Sequence, residues 1–563
     1  MKLHRLGFSI ILILFSTNIY PQKNLVANGG FEEDLISWNA NDAIKTTPWV
    51  FKNGKNSAAI ICFQNTDWVG MDQTVDLSKK SQALDVSAWI KGQTIVQGKD
   101  SWNTGVFIVE FYKHGKKLGE GVNIATVVGN MEWTLADKKM KIPDGADAIK
   151  LMIAMSNCTG TFFIDDVSAK VITLDEAGIE LKNPDIPLVP DAAPSALEAQ
   201  TKNIIVDKNA TNATAALFYN LKKIAQTNIL FGHQDDTKRG VIDSSEQWSN
   251  EQQFTGISRK LSDVKKITGA YPAVYGFDFS RITDYEPGNA WFAYEKDIAR
   301  ELTIDAYNRG GIITYCWHYQ NPVSKKGFYW NDSPVEAVSQ ILPGGKYNDV
   351  FNKALEDIAA YDKTLIGKDG KLIPVIFRPF HEFDGDWFWW GKAHCTVEQY
   401  KTLYQYVVTY LRDKLGVHNF LYAWSPDKNF NSEAEYLERY PGDAFVDLAG
   451  IDEYGDMEPG KDPAIAAAKF KIVSDFAKKK NKLAALTETG QQNLPESDWF
   501  MQKLLKALQI QPLEFAYVLL WANDRQAYWT PYKGHPAEAD FIKFKNDPYL
   551  IFGDKLPNVY STP

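Results

Sequence analysis

Two glutamates stand where carboxyl chemistry could be done. Glu382 lies in Arg378-Pro-Phe-His-Glu-Phe-Asp-Gly-Asp-Trp-Phe-Trp-Trp-Gly391 and Glu488 in Thr487-Glu-Thr-Gly490, each just after an apolar, strand-like run. Cleaving a glycosidic bond needs one carboxylic acid to protonate the departing oxygen, and one carboxylate to attack the anomeric carbon or activate water. A separation of about 5–5.5 Å between the two would mean retention of configuration and a wider gap inversion. No metal is needed for such chemistry. His318 and His381 are not spaced as a zinc site, and no two cysteines form Cys-x-x-Cys.

The elements that must hold these residues follow a regular grammar. After Ile204, apolar strands alternate with amphipathic helices, the pattern of a parallel sheet covered by helices. Eight strands are expected, over Ile229–Phe231, Ala273–Phe277, Ile312–Trp317, Leu372–Phe377, Phe420–Trp424, Val446–Ile451, Leu483–Thr487 and Phe515–Trp521. A helix over Val397–Leu415 should begin with a capping box from Thr396 and Gln399 and end at Gly416. Eight such units make a (β/α)8 barrel, whose chemistry sits at the C-terminal ends of the strands. Those ends carry His233, Asp278, His318, Glu382, Ser425, Tyr454, Glu488 and Trp521. Glu382 and Glu488 follow the fourth and seventh strands, so they can face each other across the mouth.

The rest of the chain reads differently. Residues 1–22 have Lys2 and Arg5, an apolar run over Leu6–Phe15 and small or polar residues up to Gln22, which is the pattern of a signal peptide and implies secretion, periplasmic or extracellular. Residues 23–172 read as short strands, among them Ala83–Ile90, Gly105–Phe111 and Ala148–Ala154, and predict an all-β sandwich. Residues 173–202, with Pro184, Pro187, Pro190 and Pro194, read as a stiff extended linker, and the catalytic domain as 203–556. A net charge of −9 without a basic run excludes a nucleic-acid partner, and no later segment is apolar enough for membrane insertion. The 17 Trp and 26 Tyr suit a protein that covers the C–H faces of sugars, although many must be core. Four cysteines allow three pairings; Cys62–Cys158 with Cys316–Cys395 keeps each bridge inside one domain, and four buried free thiols are the alternative.

The catalytic region resembles glycoside hydrolase family 26, whose principal members are β-mannanases. The resemblance runs from Leu230-Phe-Gly-His-Gln-Asp-Asp236 through Trp317-His-Tyr-Gln-Asn-Pro322 and the Glu382 block to Gly450-Ile-Asp-Glu-Tyr-Gly455 and the Glu488 motif, over about residues 204 to 555. It implies a retaining enzyme acting on β-mannan, with Glu382 as acid/base and Glu488 as nucleophile. It further implies that Tyr454 hydrogen-bonds the nucleophile, that His381 contacts the sugar or supports the nucleophile, that His318 binds the glycone side, and that Trp387 and Trp521 wall the scissile linkage. Arg378, His233 and Asp278 are expected to brace the site, while Trp389 and Trp390 could serve either core or subsite. An endo-acting β-1,4-mannanase is the expectation. An exo-acting mannobiohydrolase, a mixed-linkage glucanase or a β-1,3-xylanase would keep the same pair, and a non-catalytic glycan-binding protein is the reading of another class.

The first domain, from Asn24-Leu-Val-Ala-Asn-Gly-Gly-Phe-Glu32 to Phe162-Phe-Ile-Asp-Asp-Val167, resembles jelly-roll carbohydrate-binding modules. That resemblance makes Glu32, Asp165 and Asp166 candidates for a structural calcium, with no cofactor expected for catalysis. Trp49, Trp68, Trp89 and Trp102 are candidate stacking platforms.

Overall fold

A computed structural model describes residues 23–563 except 65–66, 79–80, 101, 144, 175, 178–182, 244–246, 251–258, 284–289 and 525–526. Residues 1–22, expected to be a signal peptide, lie outside the described residues. The chain divides into two compact units that meet in sequence near residue 180.

The first unit is a sandwich of two five-stranded antiparallel sheets. One sheet runs in the order Asn39–Ala40, Val69–Asp76, Ala148–Met155, Gly105–Lys113, Lys116–Val127, and the other Ile44–Thr47, Ser57–Cys62, Thr159–Ile172, Ala83–Val96, Gly129–Lys141. Alternation along the strands sends Leu84, Val86, Ala88, Phe107, Val109, Phe111, Leu151 and Ile153 into one shared core.

The second unit is a closed barrel. Eight parallel strands, Ile229–Gln234, Val274–Asp278, Ile312–Trp317, Val375–Pro379, Phe420–Trp424, Leu448–Glu453, Leu483–Thr489 and Phe515–Leu520, pair in sequence order, and the first pairs with both the second and the eighth. Each strand is buried almost throughout, as expected where helices cover the outside and side chains fill the middle. The fourth begins three residues later than its apolar run, because Leu372 is taken by a local bridge to Ile366. The helix after it opens at Val397 with the Thr396–Gln399 capping box; it is α-helical to Thr409, and a π turn over Tyr410–Lys414 carries it to Gly416, at φ +68°.

One sequence expectation changes and one alternative is decided. The proline-rich stretch has no helix or strand from Asn183 to Pro194, but it is strapped to the barrel rather than free. Between the prolines, backbone amides and side chains find barrel partners: Asn183 N donates to Glu301 Oε2 at 2.6 Å, Val189 N to Gly370 O at 2.8 Å, and Asp185 pairs with Arg300 at 3.0 Å. Ser195 then caps a helix over Ala196–Lys202. A chain beginning at residue 180 should therefore melt as the intact barrel does, whereas one beginning at residue 203 should melt several degrees lower by calorimetry. Equal melting of the two would show that these contacts contribute nothing.

Of the two alternatives open for the cysteines, the structure has free thiols: all four are unpaired and buried. Cys316 is held inside the barrel against Phe277 O at 3.5 Å, and Cys395 lies against Arg439 at 3.5 Å, so each of these two has its own polar partners.

Candidate active site

Glu488 lies at the end of the seventh strand, paired in register with Asp452 of the sixth across a bulge that follows Ile451. The bulge turns both carboxylates to the same mouth, a use of bulges common beside active sites. Arg378, from the fourth strand, spans the two: Nη1 donates to Asp452 Oδ2 at 2.6 Å and Nη2 to Glu488 Oε1. Tyr454 OH donates to Glu488 Oε2 at 3.0 Å. Both oxygens of Glu488 thus receive a hydrogen bond, one of them charge-assisted, and the group is only 3% exposed. Burial, then the Glu488 charge, raises the Tyr454 phenol well above its ordinary range, so it remains a donor. Thr487 Oγ1 donates to Asp452 Oδ1 at 2.6 Å and completes the support on the far side. Tyr454→Phe should lower turnover by about tenfold to a hundredfold through loss of that one donor, with an unchanged melting temperature. An unchanged kcat would show that Arg378 alone orients Glu488.

Glu382 is set up differently. Phe380 and Glu382 both occupy the left-handed region, at φ +50° and +51°, a strained arrangement for residues with side chains. The turn is held by Glu382 N donating to Ser425 O at 3.0 Å and Gly385 N donating to Glu382 O at 3.1 Å. The carboxyl's hydrogen-bond partner is Trp387, whose Nε1 donates to Oε2 at 2.7 Å. Burial first, then the negative charges of Glu488, Asp452 and Asp427, pushes the Glu382 carboxyl well above the usual carboxylate range. One glutamate is therefore wrapped in donors and the other is placed to hold a proton.

Aromatic and histidine side chains form the adjoining wall. His318 Nδ1 lies 2.7 Å from Asp278 Oδ2, and its Nε2 lies 3.2 Å from His381 Nε2. Burial alone would raise the Asp278 carboxyl, but attraction and hydrogen bonding from His318 outweigh it and bring it to about 2. Burial, followed by the Arg378 charge, drives His381 well below its ordinary range, so it is neutral beside Glu488, 3.8 Å away. The Trp521 ring meets His318 edge-on at 5.5 Å. A cavity of about 420 Å³ opens beside them, lined by Asp235, Arg239, Arg281, Phe328, Tyr329 and Trp521 among others. Such a mixture of rings and hydrogen-bonding groups suits a sugar.

The barrel residues named from the sequence can now be placed. His318, His381, Tyr454 and Trp521 gather around the two glutamates, and Trp387 covers Glu382 at a partly exposed rim. Trp389 and Trp390 are fully buried, their indoles donating to Tyr319 O and His381 O, and belong to the core beneath the site. His233 is buried on Asp236 at 3.0 Å and braces the loop after the first strand. Asp452, Phe328 and Tyr329 were missed. Asp452 was recoverable from its place near the end of the sixth strand, two residues before Tyr454; Phe328 and Tyr329 sit on a loop without a pattern.

Among the described residues, two groups bring potential metal-ligand atoms together, Asp278/Cys316/His318 and His381/Asp452/Glu488. In the second, the Arg378 guanidinium already lies on both carboxylates. In the first, Asp278 is committed to His318 and burial keeps the Cys316 thiol protonated. In the sandwich, Glu32, Asp165 and Asp166 converge on the loop 52–56. Glu32 Oε1 accepts from Lys55 N at 2.8 Å, Asp165 Oδ2 from Lys52 N at 2.8 Å, and Asp166 Oδ2 from Asn53 Nδ2 at 2.5 Å.

Comparison with known proteins agrees with this geometry. A mannan endo-1,4-beta-mannosidase of Bifidobacterium adolescentis is 38% identical over 374 residues, which are 62% of this chain and 36% of that protein. One from Bacillus subtilis is 28% identical over 208 residues, 34% of this chain and 52% of that protein. The chain thus spans between about a third and a half of the length of these curated relatives. The structure of GH26C from a Muricauda species superposes with a TM-score of 0.61 at 38% identity, covering 66% of this chain and all of that one. A GH26 beta-mannanase from Bacteroides ovatus gives 0.55 at 36% identity, covering 62% of this chain and 97% of that one. The profile of glycosyl hydrolase family 26 matches residues 206–547, well over half of the chain. This chain belongs to glycosyl hydrolase family 26.

Proposed function

We propose that the chain is a retaining, endo-acting β-1,4-mannanase, with Glu488 as nucleophile and Glu382 as acid/base. The observation that carries the assignment is the asymmetry of the pair: Glu488 receives hydrogen bonds from Arg378 and Tyr454, while Glu382 is desolvated beside it and receives one from Trp387. In the first step Glu488 attacks the anomeric carbon as Glu382 gives its proton to the departing glycosidic oxygen, leaving a glycosyl ester on Glu488. In the second, the Glu382 carboxylate takes a proton from water, the resulting nucleophile attacks the same carbon, and Glu488 is released. His318 and Trp521 hold the glycone, and neutral His381 steadies Glu488 without adding charge. The names of the similar proteins favour mannan as the substrate, and the polar and aromatic cavity lined by His318 and Trp521 suits sugar units.

Reducing-sugar release from mannan, galactomannan, mixed-linkage glucan and xylan tests the substrate. Mannan should be preferred, with a spread of oligosaccharides as early products. Mannobiose as the sole early product would replace endo by exo action. Preference for glucan or xylan would overturn the substrate, and no hydrolysis of any would leave a binding protein.

The reading extends to the sandwich as a glycan-binding module on a secreted enzyme, supported by its two-sheet fold and by the basic-then-apolar start of the chain. A calcium at Glu32, Asp165 and Asp166 would use the carboxylate oxygens left over from the loop's hydrogen bonds. Chelator should then lower the melting of the sandwich, and an unchanged melt would remove the ion from the account.

A further inference from the structure

The turn that carries Glu382 is strained, with Phe380 and Glu382 both in the left-handed region, so it persists only where its surroundings fix it. Tyr400 OH donates to Phe380 O at 2.9 Å, the Trp390 indole donates to His381 O at 2.8 Å, and the Phe383 ring packs on Tyr400 and Trp424 with centroids 4.4 and 5.1 Å away. These contacts anchor the turn to the core. A different group of hydrogen bonds sets it relative to the nucleophile, and its partner is the segment 425–429 that leaves the fifth strand. Glu382 N donates to Ser425 O at 3.0 Å. The Asp384 carboxylate then accepts from Asp427 N at 2.6 Å through Oδ1 and from Asn429 N at 3.1 Å through Oδ2. Asn429 Nδ2 donates to Asp427 Oδ2 at 3.0 Å and closes the clamp. The same segment is tied to the sixth strand, where Asp452 N donates to Pro426 O at 2.9 Å; Asp452 in turn holds Arg378, which donates to Glu488. One short segment therefore carries hydrogen bonds to the frames of both glutamates. Side-chain packing does not back the clamp on its outer side, because a cavity of about 450 Å³ lies there, lined by Phe383, Asp384, Pro426, Asn429 and Phe430 among others. Asp384 is also costly to keep: burial, followed by the charge of Asp427, pushes its carboxyl up to about 7. Such a perturbed carboxyl beside a catalytic pair points to a role at the site rather than to stability.

We propose that Asp384 is a positioning residue for the acid/base, fixing Glu382 relative to Glu488 by clamping the Glu382 turn to the segment 425–429. The inference rests on the roles assigned to the two glutamates and adds what keeps them in register. Loss of the clamp leaves Glu488 with both of its donors, Arg378 and Tyr454. Glu382 is then still present but free to swing away from the departing oxygen. Proton transfer is sensitive to such misplacement, and a displacement of about 1 Å can cost a hundredfold in rate. Asp427, which the clamp also holds, supplies one of the negative charges that keep the proton on Glu382.

The test compares the full chain with its Asp384→Ala variant on two substrates. On mannan, kcat/KM should fall about tenfold to a hundredfold. On an aryl β-mannoside with an acidic leaving group, whose departure needs no proton, it should fall less than about threefold. A merely structural role would lower both alike, through the fraction of enzyme that is folded. An equal loss on the two substrates would therefore overturn the proposal, as would no loss on mannan. Asp384→Asn keeps one acceptor for the two amides and should lie between the Ala variant and the unmodified enzyme. If Asp384→Ala does not fold, the Asn variant decides by the same ratio of the two losses. Glu382→Ala measured alongside separates the clamp from the assignment beneath it. A substrate-dependent loss in Glu382→Ala but not in the Asp384 variants would overturn the clamp alone, whereas an equal loss in Glu382→Ala would overturn the acid/base assignment and the clamp with it.

Discussion

Glu488→Ala should lower mannan hydrolysis by about ten-thousandfold or more, because it removes the atom that would bond to the anomeric carbon. The fold should survive the change. Arg378 would keep Asp452 at 2.6 Å as its partner, so the buried guanidinium is not stranded, and Asp452 keeps its hydrogen bond from Thr487. The vacated space lies against that guanidinium and the Tyr454 hydroxyl, a place that favours a small anion. Added azide should enter it and attack an activated aryl β-mannoside directly, and NMR should show a glycosyl azide of inverted, α configuration. A β azide from this variant would mean that Glu488 is the acid/base. Inversion by the unmodified enzyme on mannan would remove the covalent intermediate altogether.

The sequence was most legible where chemistry and backbone grammar coincide. All eight barrel strands were visible as apolar runs because strands buried on both sides admit little else, and Glu382, Glu488, Tyr454 and Trp521 were visible because they end those runs. Residues whose role depends on contacts between strands were harder. Asp452 looked like one acidic residue in a motif; only the bulge after Ile451 brings it level with Glu488 and under Arg378. The distinction between Trp387 and its neighbours Trp389 and Trp390 is also tertiary, since one indole reaches Glu382 while the other two turn into the core. Proline content pointed to a stretch without helix or strand over residues 184–194, yet it says nothing of where the intervening amides find acceptors. They find them on the barrel, as Val189 does at Gly370. Cysteine number could not choose between bridges and thiols, because pairing depends on approach in space.

Glu382→Ala should separate the two chemical steps, and its effect should depend on the leaving group. On mannan, whose departing alcohol needs a proton, activity should fall about a thousandfold or more, in line with loss of general acid help. On an aryl β-mannoside with an acidic leaving group, Glu488 can still be glycosylated, and release by water, now without a base, should become the slow step. Azide needs no base, so it should speed turnover and give the β azide of retained configuration, opposite to the Glu488→Ala product. The pH profile supplies a second check. In the unmodified enzyme Glu382 must be protonated, so activity should be lost as pH rises through its raised pKa; with the aryl substrate that alkaline limb should vanish in the variant. Stability should fall with rising pH, as activity does. A carboxyl whose folded pKa is raised binds its proton more tightly in the native state, so above the ordinary carboxylate range it makes the fold progressively less stable as pH rises to the folded pKa. Glu382→Ala removes that penalty, which burial and the negative charges of Glu488, Asp452 and Asp427 create. The variant should therefore melt no lower than the unmodified enzyme at alkaline pH, with its relative advantage shrinking as pH falls. A variant that keeps the alkaline limb, or yields the α azide, would take the acid/base role away from Glu382.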